Sequence, residues 1–63
     1  MKHCDICGAD NLSLYYDAAC KSGRWGNFCQ VCFPKYCSGK LGTGVGQMFC
    51  WDTITEKYVK VSG

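Results

Sequence analysis

Residues 4–8 read Cys-Asp-Ile-Cys-Gly, and residues 29–32 read Cys-Gln-Val-Cys. Two residues between cysteines let both sulfurs reach one ion from a single turn of backbone, and two such pairs complete a tetrahedral site. The glycine after the first pair allows a positive φ, so the chain can fold its amides back toward the thiolates. The pattern predicts one Zn²⁺ bound by Cys4, Cys7, Cys29 and Cys32. Because four thiolates leave no coordination position for water, we expect a structural metal.

The separation of the two pairs also suits zinc. Cys7 and Cys29 are separated by residues 8–28, which number 21, close to the roughly 15–20 of paired Cys-x-x-Cys zinc sites. A single pair acting as a redox couple belongs on a βαβ framework, which the sequence does not offer. An iron site of the rubredoxin type uses the same ligands and stays open. We expect zinc, because iron would imply an electron-transfer partner.

Chain length and cysteine content explain why a metal is needed. With 63 residues the chain has room for a single domain, residues 1–63, whose core is too small to hold without a staple. The seven cysteines would leave one thiol over in a pure disulfide framework, and such frameworks belong to secreted proteins. The sequence has no apolar leader and no run long enough to span a bilayer. We therefore expect a cytoplasmic protein without membrane contact.

Hydrophobic alternation predicts that the N-terminal half is a β-hairpin within a zinc-binding core at residues 4–32. A strand is expected from Leu12 to Asp17, with Leu12, Leu14 and Tyr16 on its buried face and Tyr15 on the opposite face. Turn-forming residues follow at 21–24, so residues 25–29 can return antiparallel and bring Cys29 beside the first pair.

The second half of the sequence predicts one short helix and a second hairpin. Pro34 suits a first helical turn, which favours a helix after Cys32, beginning near Val31 and ending by Gly39. A glycine-rich loop at residues 38–47 and a C-terminal hairpin at residues 48–61 follow. The fold class predicted is a small metal-stabilised β-rich domain, either a zinc ribbon or a treble-clef-like fold.

Three cysteines and one histidine lie outside the two pairs. Cys20, Cys37 and Cys50 have no partner at Cys-x-x-Cys spacing, and we interpret them as small structural hydrophobes. A second metal shared by these three would need a fourth ligand, and only His3 is available. His3 could also replace a cysteine in a Cys₃His site, although a solvent-facing role is expected for it.

The charged and aromatic residues point to binding rather than catalysis. The formal net charge is +2, which is mild for a nucleic-acid-binding domain. A nucleic-acid or partner surface is predicted at Lys21, Arg24, Lys35 and Lys40, with Tyr15 as an exposed ring that could stack on a base. The glycine-rich loop matches no nucleotide-binding fingerprint. No catalytic constellation and no small-molecule substrate is indicated, so no enzymatic activity is expected.

The motifs also resemble those of a known family. The run Lys-Ser-Gly-Arg-Trp-Gly-Asn-Phe-Cys-Gln-Val-Cys-Phe at residues 21–33 and the run Leu-Gly-Thr-Gly-Val-Gly-Gln at residues 41–47 resemble short zinc-ribbon proteins found chiefly in bacteriophage genomes. The resemblance covers most of residues 4–47 and supports the same four ligands, but it implies no activity. The chain departs from that pattern in carrying Cys20, Cys37 and Cys50.

Two functions remain open from the sequence. One is a structural-zinc module of a phage-type accessory protein that contacts nucleic acid or a nucleic-acid-processing complex. The alternative is a protein-protein modulator of a host or viral machine, such as a polymerase, nuclease or defence complex, without nucleic-acid contact.

Overall fold

A computed structural model describes residues 2–63 and shows a four-stranded antiparallel sheet with one short helix. Strand β1 is Leu14–Ala19, β2 is Trp25–Phe28, β3 is Gly46–Asp52 and β4 is Lys57–Ser62, while helix α1 is Cys32–Tyr36. The strand order is β2-β1-β3-β4. Two hairpins therefore join edge to edge through β1 and β3, and β2 and β4 form the outer edges.

The register of the sheet decides which residues share a face. In β1, Tyr16 lies opposite Phe28 of β2 and Met48 of β3. Because side chains alternate along a strand, Ala18 shares that face. We call it the inner face, since Ala18 and Phe28 are buried there with four cysteines and Phe33 of α1. The Phe33 ring stacks on Tyr16 with 4.0 Å between centroids.

The opposite face, here the outer face, carries an aromatic cluster of its own. Tyr15 stacks on Phe49 at 5.1 Å and meets the Tyr58 ring edge-on at 4.8 Å, while Trp51 packs against Tyr58 at 5.0 Å. Lys2 covers part of this cluster, with its Nζ atom 5.8 Å from the centre of the Tyr15 ring. The prediction that Tyr15 presents an exposed ring is wrong: only 7% of the residue is accessible, because its own neighbours on β3 and β4 stack on it.

The glycine-rich loop forms a tight reversal that leads into β3. Gly42 and Gly46 exchange backbone hydrogen bonds of 2.8 and 3.0 Å, and Gly44 between them has a φ of 77°. Gly46 is also required by packing, since a Cβ atom there would lie 2.8 Å from the Cβ of Ala18. The end of the loop therefore lies close against β1 at Gly46.

The coarse fold prediction agrees with the structure, while several boundaries move. The first strand lies two residues later than Leu12–Asp17, whereas the helix begins one residue after Val31 and ends before Gly39, as expected. The hairpin expected at residues 48–61 spans Gly46–Asp52 and Lys57–Ser62. No helix among residues 2–63 has the length and apolar character needed to cross a membrane.

Candidate metal centre

The first cysteine pair lies in a tight turn before β1. The Gly8 amide donates to the Cys4 carbonyl at 3.0 Å, and Gly8 has a φ of 77°, a conformation that a residue without Cβ adopts without strain. The Cys4 amide in turn donates to the Ala9 carbonyl at 2.9 Å. These bonds close residues 4–9 into a compact knuckle around the two thiols.

The second pair lies between the end of β2 and the start of α1. Cys29 directly follows Phe28, and its carbonyl accepts the Phe33 amide at 2.9 Å as the helix begins. Asp5 ties the knuckle to this segment, since its amide donates to the Asn27 carbonyl and its carboxylate accepts the Asn27 amide, both at 2.8 Å. A local turn and a strand end are thus held side by side.

The four sulfurs are grouped at distances that fit one tetrahedral ion. All four Sγ atoms lie within 4.8 Å of one another, and those of Cys7 and Cys29 are 3.8 Å apart. A tetrahedron whose corners lie about 2.3 Å from its centre, the usual zinc–sulfur distance, has edges of about 3.8 Å. Cys4, Cys29 and Cys32 are buried while Cys7 is exposed. The geometry and the donor set are those of a cysteine cluster that can bind one metal ion.

Hydrogen bonding prepares part of this cluster for a cation. Burial opposes ionisation of Cys4, but hydrogen bonds from backbone amides, those of Cys7 and Cys29 foremost, outweigh it and lower its pKa to about 6. The Cys32 amide lowers the pKa of Cys29, whereas burial and the neighbouring sulfurs raise the pKa of Cys32 to about 12. A metal bound here would displace the proton from Cys32.

The remaining sequence candidates for metal binding lie elsewhere. His3 pairs with Asp5, with 3.4 Å between Nε2 and Oδ1. Cys20 faces Cys37 across an isolated bridge, whereas Cys50 lies in β3 between Leu14 and Val59. Within residues 2–63, the four predicted ligands are the one group of three or more His, Cys, Asp or Glu side chains close enough to share an ion.

Three of the four predicted basic residues line one cleft. Lys21, Arg24 and Lys35 lie around an open cavity of about 700 Å³ between the knuckle, the β1–β2 turn and α1, which we call the basic cleft. Lys40 lies outside it. Trp25 and Tyr36, 53% and 45% exposed, also line the cleft. The sequence analysis named neither ring as a binding residue, although their position directly beside Arg24 and Lys35 was an available signal.

The fold and the cysteine cluster define a small β-rich domain with a candidate tetrathiolate metal centre. Comparison of the chain with family models, with curated proteins and with solved structures found no match in any of the three. The similarity to phage zinc-ribbon proteins therefore remains a resemblance of motifs.

Proposed function

We propose that the chain is a non-enzymatic module in which one structural Zn²⁺ supports a nucleic-acid-binding cleft. Zinc is favoured because four thiolates form a closed tetrahedral set, and because closed sites of this kind contribute folding energy rather than chemistry. A reducing cytoplasm suits the chain, since its seven cysteines are free of disulfide bonds and remain so in such a compartment. Metal analysis of purified protein distinguishes zinc from iron, and a rubredoxin-type iron site would also be coloured.

The observation that carries the proposed binding role is the convergence of charge and exposed rings in the basic cleft. Lys21 and Arg24 come from the β1–β2 turn and Lys35 from α1, yet they surround one cavity with Trp25 and Tyr36. Cationic side chains bind phosphates, and exposed aromatic rings stack on bases whatever the sequence. The acidic residue of the cleft, Asp5, is already engaged with the Asn27 amide, which reduces its repulsion of an anion.

Single-stranded nucleic acid is the favoured ligand. Stacking on Trp25 or Tyr36 requires an unpaired base, and each stacked base contributes about 1–3 kcal/mol. The cleft is about 700 Å³ in volume, and among residues 2–63 no long helix flanks it that could enter a duplex groove. We therefore expect weak, salt-dependent binding with little sequence preference.

The test measures binding of short labelled DNA and RNA oligonucleotides by fluorescence anisotropy at several salt concentrations. Removing the cation that neutralises one phosphate should lower the salt slope by about 0.7 for single strands, so Lys21→Ala, Arg24→Ala and Lys35→Ala should each reduce slope and affinity. Lys40→Ala removes the same charge outside the cleft and serves as the matched control. No salt-dependent binding up to about 100 μM protein, the weak end of the range for non-specific binding, or an equal effect of Lys40→Ala, would refute the proposal.

A second candidate function is protein binding at the open edge of the sheet. β4 is an edge strand, and its residues Val59 and Val61 are 41% and 51% exposed. An extended segment of another protein can add a strand to such an edge. As a phage-type accessory protein, the chain would then modulate a host or viral polymerase, nuclease or defence complex without touching nucleic acid.

Capture experiments from bacterial lysate separate this candidate from the first. Val61→Lys places a charge on the edge and should abolish capture of a specific partner, whereas Ile54→Lys, at a turn residue that is 90% exposed, should not. Nuclease treatment of the lysate provides the second control. A partner released by nuclease treatment supports the nucleic-acid role. A partner that is captured by neither variant counts against binding at the β4 edge, because Ile54→Lys should retain it.

A further inference from the structure

Cys20 and Cys37 face each other where strand β1 and helix α1 end. Cys20 directly follows β1, Cys37 directly follows α1, and the two form an isolated antiparallel bridge. The bridge is flanked by a hydrogen bond of 2.8 Å from the Lys21 amide to the Tyr36 carbonyl, while the amides of both cysteines donate elsewhere. The two cysteines are therefore a non-hydrogen-bonded pair.

This pairing brings the two sulfurs within reach of a covalent bond. Residues in a non-hydrogen-bonded antiparallel pair have Cα atoms about 4.5 Å apart and side chains on the same side of the sheet. Disulfides span Cα separations of about 4.4–6.8 Å. A bond between Cys20 and Cys37 thus fits the backbone spacing typical of such a pair and requires rotation of the side chains.

The two thiols differ in access and in acidity. Cys37 is only 2% exposed and belongs to the buried cluster, whereas Cys20 is half-buried and lines the basic cleft. The Ser22 hydroxyl, with Oγ 2.9 Å from the Cys20 sulfur, lowers the pKa of Cys20. Burial, and then the charge of Cys20, raises the pKa of Cys37. Cys20 is therefore suited to react first with a disulfide arriving from solvent, and Cys37 to react second, with Cys20.

We propose that Cys20 and Cys37 form a reversible oxidation site whose co-substrate is a small disulfide such as oxidised glutathione. The Cys20 thiolate attacks one sulfur of the small disulfide, breaks its S–S bond and releases one glutathione thiolate. Cys37 then gives up its proton and displaces the second glutathione from Cys20. The protein pair loses two electrons and two protons, and one glutathione disulfide becomes two glutathione thiols.

The other cysteines do not compete for Cys20. The four cysteines of the candidate metal centre are grouped with one another, and ions bound to thiolates reduce their availability for exchange. Cys50 lies in β3, opposite Leu14 and Val59, away from the bridge. Oxidation should therefore be specific to one pair among the seven cysteines.

Oxidation would also act on the basic cleft, and this consequence rests on the function proposed above. The Cys20–Cys37 bond joins the wall that carries Lys21 to the wall that carries Lys35 and Tyr36. We expect oxidised protein to bind an oligonucleotide a few-fold more tightly, because the walls are pre-organised.

The test incubates zinc-loaded protein in glutathione buffers of increasing oxidised fraction and follows intact mass and tryptic peptides. Trypsin leaves Cys20 in residues 3–21, together with Cys4 and Cys7, and Cys37 in residues 36–40. The expected product is these two peptides joined, with fragmentation placing the bond at Cys20, reversed by dithiothreitol and with zinc content unchanged. Cys50→Ser should behave like wild type. Cys20→Ser, at the less buried position, should abolish the cross-link while the protein keeps its fold and its metal.

Two results would overturn the proposal: a mixture of glutathione adducts without the 3–21 to 36–40 cross-link, or a cross-link of residues 36–40 that persists in Cys20→Ser through Cys4, Cys7 or Cys50. The mass readout does not depend on oligonucleotide binding. A cross-link that forms while affinity stays unchanged would support the oxidation site and refute only its effect on the cleft.

Discussion

A comparison of Cys7→Ser with Cys50→Ser tests whether the fold depends on a metal. The two substitutions are chemically identical, and neither position is fully buried: Cys7 is exposed to solvent and Cys50 is half-buried. Neither serine creates a large cavity. They differ because the Cys7 sulfur lies 3.8 Å from that of Cys29 within the cysteine cluster, whereas Cys50 lies in β3 outside it.

The expected difference follows from the share of folding energy that the ion supplies. A structural zinc contributes on the order of 10 kcal/mol, so loss of one ligand in four should cost roughly a quarter of it, about 2–3 kcal/mol. Serine at a partly exposed position outside the cluster should stay within about 0.5 kcal/mol. Such a loss is a large share of the total stability of a small domain, which is only about 5–15 kcal/mol. On the scale of about 4–8 °C per kcal/mol, Cys7→Ser should lower the melting temperature by at least about 10 °C.

Circular dichroism melts with measured zinc content provide the assay, and chelation provides the second arm. A strong chelator should remove the cooperative transition of wild type and Cys50→Ser alike, and added zinc should restore it. The reasoning is refuted if metal-free wild type, verified by elemental analysis, melts cooperatively near the temperature of the loaded protein. Equal destabilisation by both substitutions would also refute it, because an ordinary packing defect would then explain the loss.

Three further substitutions test packing, hydrogen bonding and thiol acidity. Gly46→Ala places a Cβ atom 2.8 Å from Ala18 and should destabilise by about 1–3 kcal/mol in urea unfolding, with partial rescue by Ala18→Gly. Tyr58→Phe removes a hydroxyl that donates to a backbone carbonyl of residue 12 and should cost about 1 kcal/mol in the same assay. Because the Cys20 pKa is lowered, its thiolate persists to lower pH. The pH at which its alkylation rate is half-maximal should therefore lie below 9.0, the usual thiol value. Ser22→Ala should raise this midpoint pH.

The candidate metal centre could be read from sequence because its chemistry is local. Each pair is held by its own turn, the first by the amides around Gly8 and the second by the start of α1. Only the meeting of the two pairs is long-range, and the hairpin of β1 and β2 between them makes it geometrically simple. Ligand spacing therefore carries almost all of the information needed.

The burial of Tyr15 could not be predicted from the sequence in the same way. Alternation correctly placed Tyr15 opposite Tyr16, but period-two patterning does not say whether the second face is covered. Here both faces are packed: α1 and the cysteines cover the inner one, while Phe49 and Tyr58 stack on Tyr15 on the outer one. Burial on the outer face depends on the pairing of β1 with β3, whose register no local pattern fixes.

The basic cleft and the Cys20–Cys37 bridge depend on the placement of α1. This helix has five residues, far fewer than the roughly 12–15 that an isolated helix needs to be even marginally stable in water. The helix must therefore be stabilised by contacts with the rest of the protein. At its start lie Cys29 and Cys32 of the cysteine cluster, and at its end Cys37 meets Cys20 across the bridge.

Sulfur chemistry at both ends of α1 would therefore control what the helix presents. Lys35 and Tyr36 reach the basic cleft only while the helix keeps its position against β1. The Phe33 ring, 4.0 Å from Tyr16, supplies one stacking contact of about 0.5–1.5 kcal/mol beyond its burial, too little to fix both ends. The metal would hold the beginning of the helix and the Cys20–Cys37 pair its end, so metal content and thiol oxidation state would act on one surface through one short element.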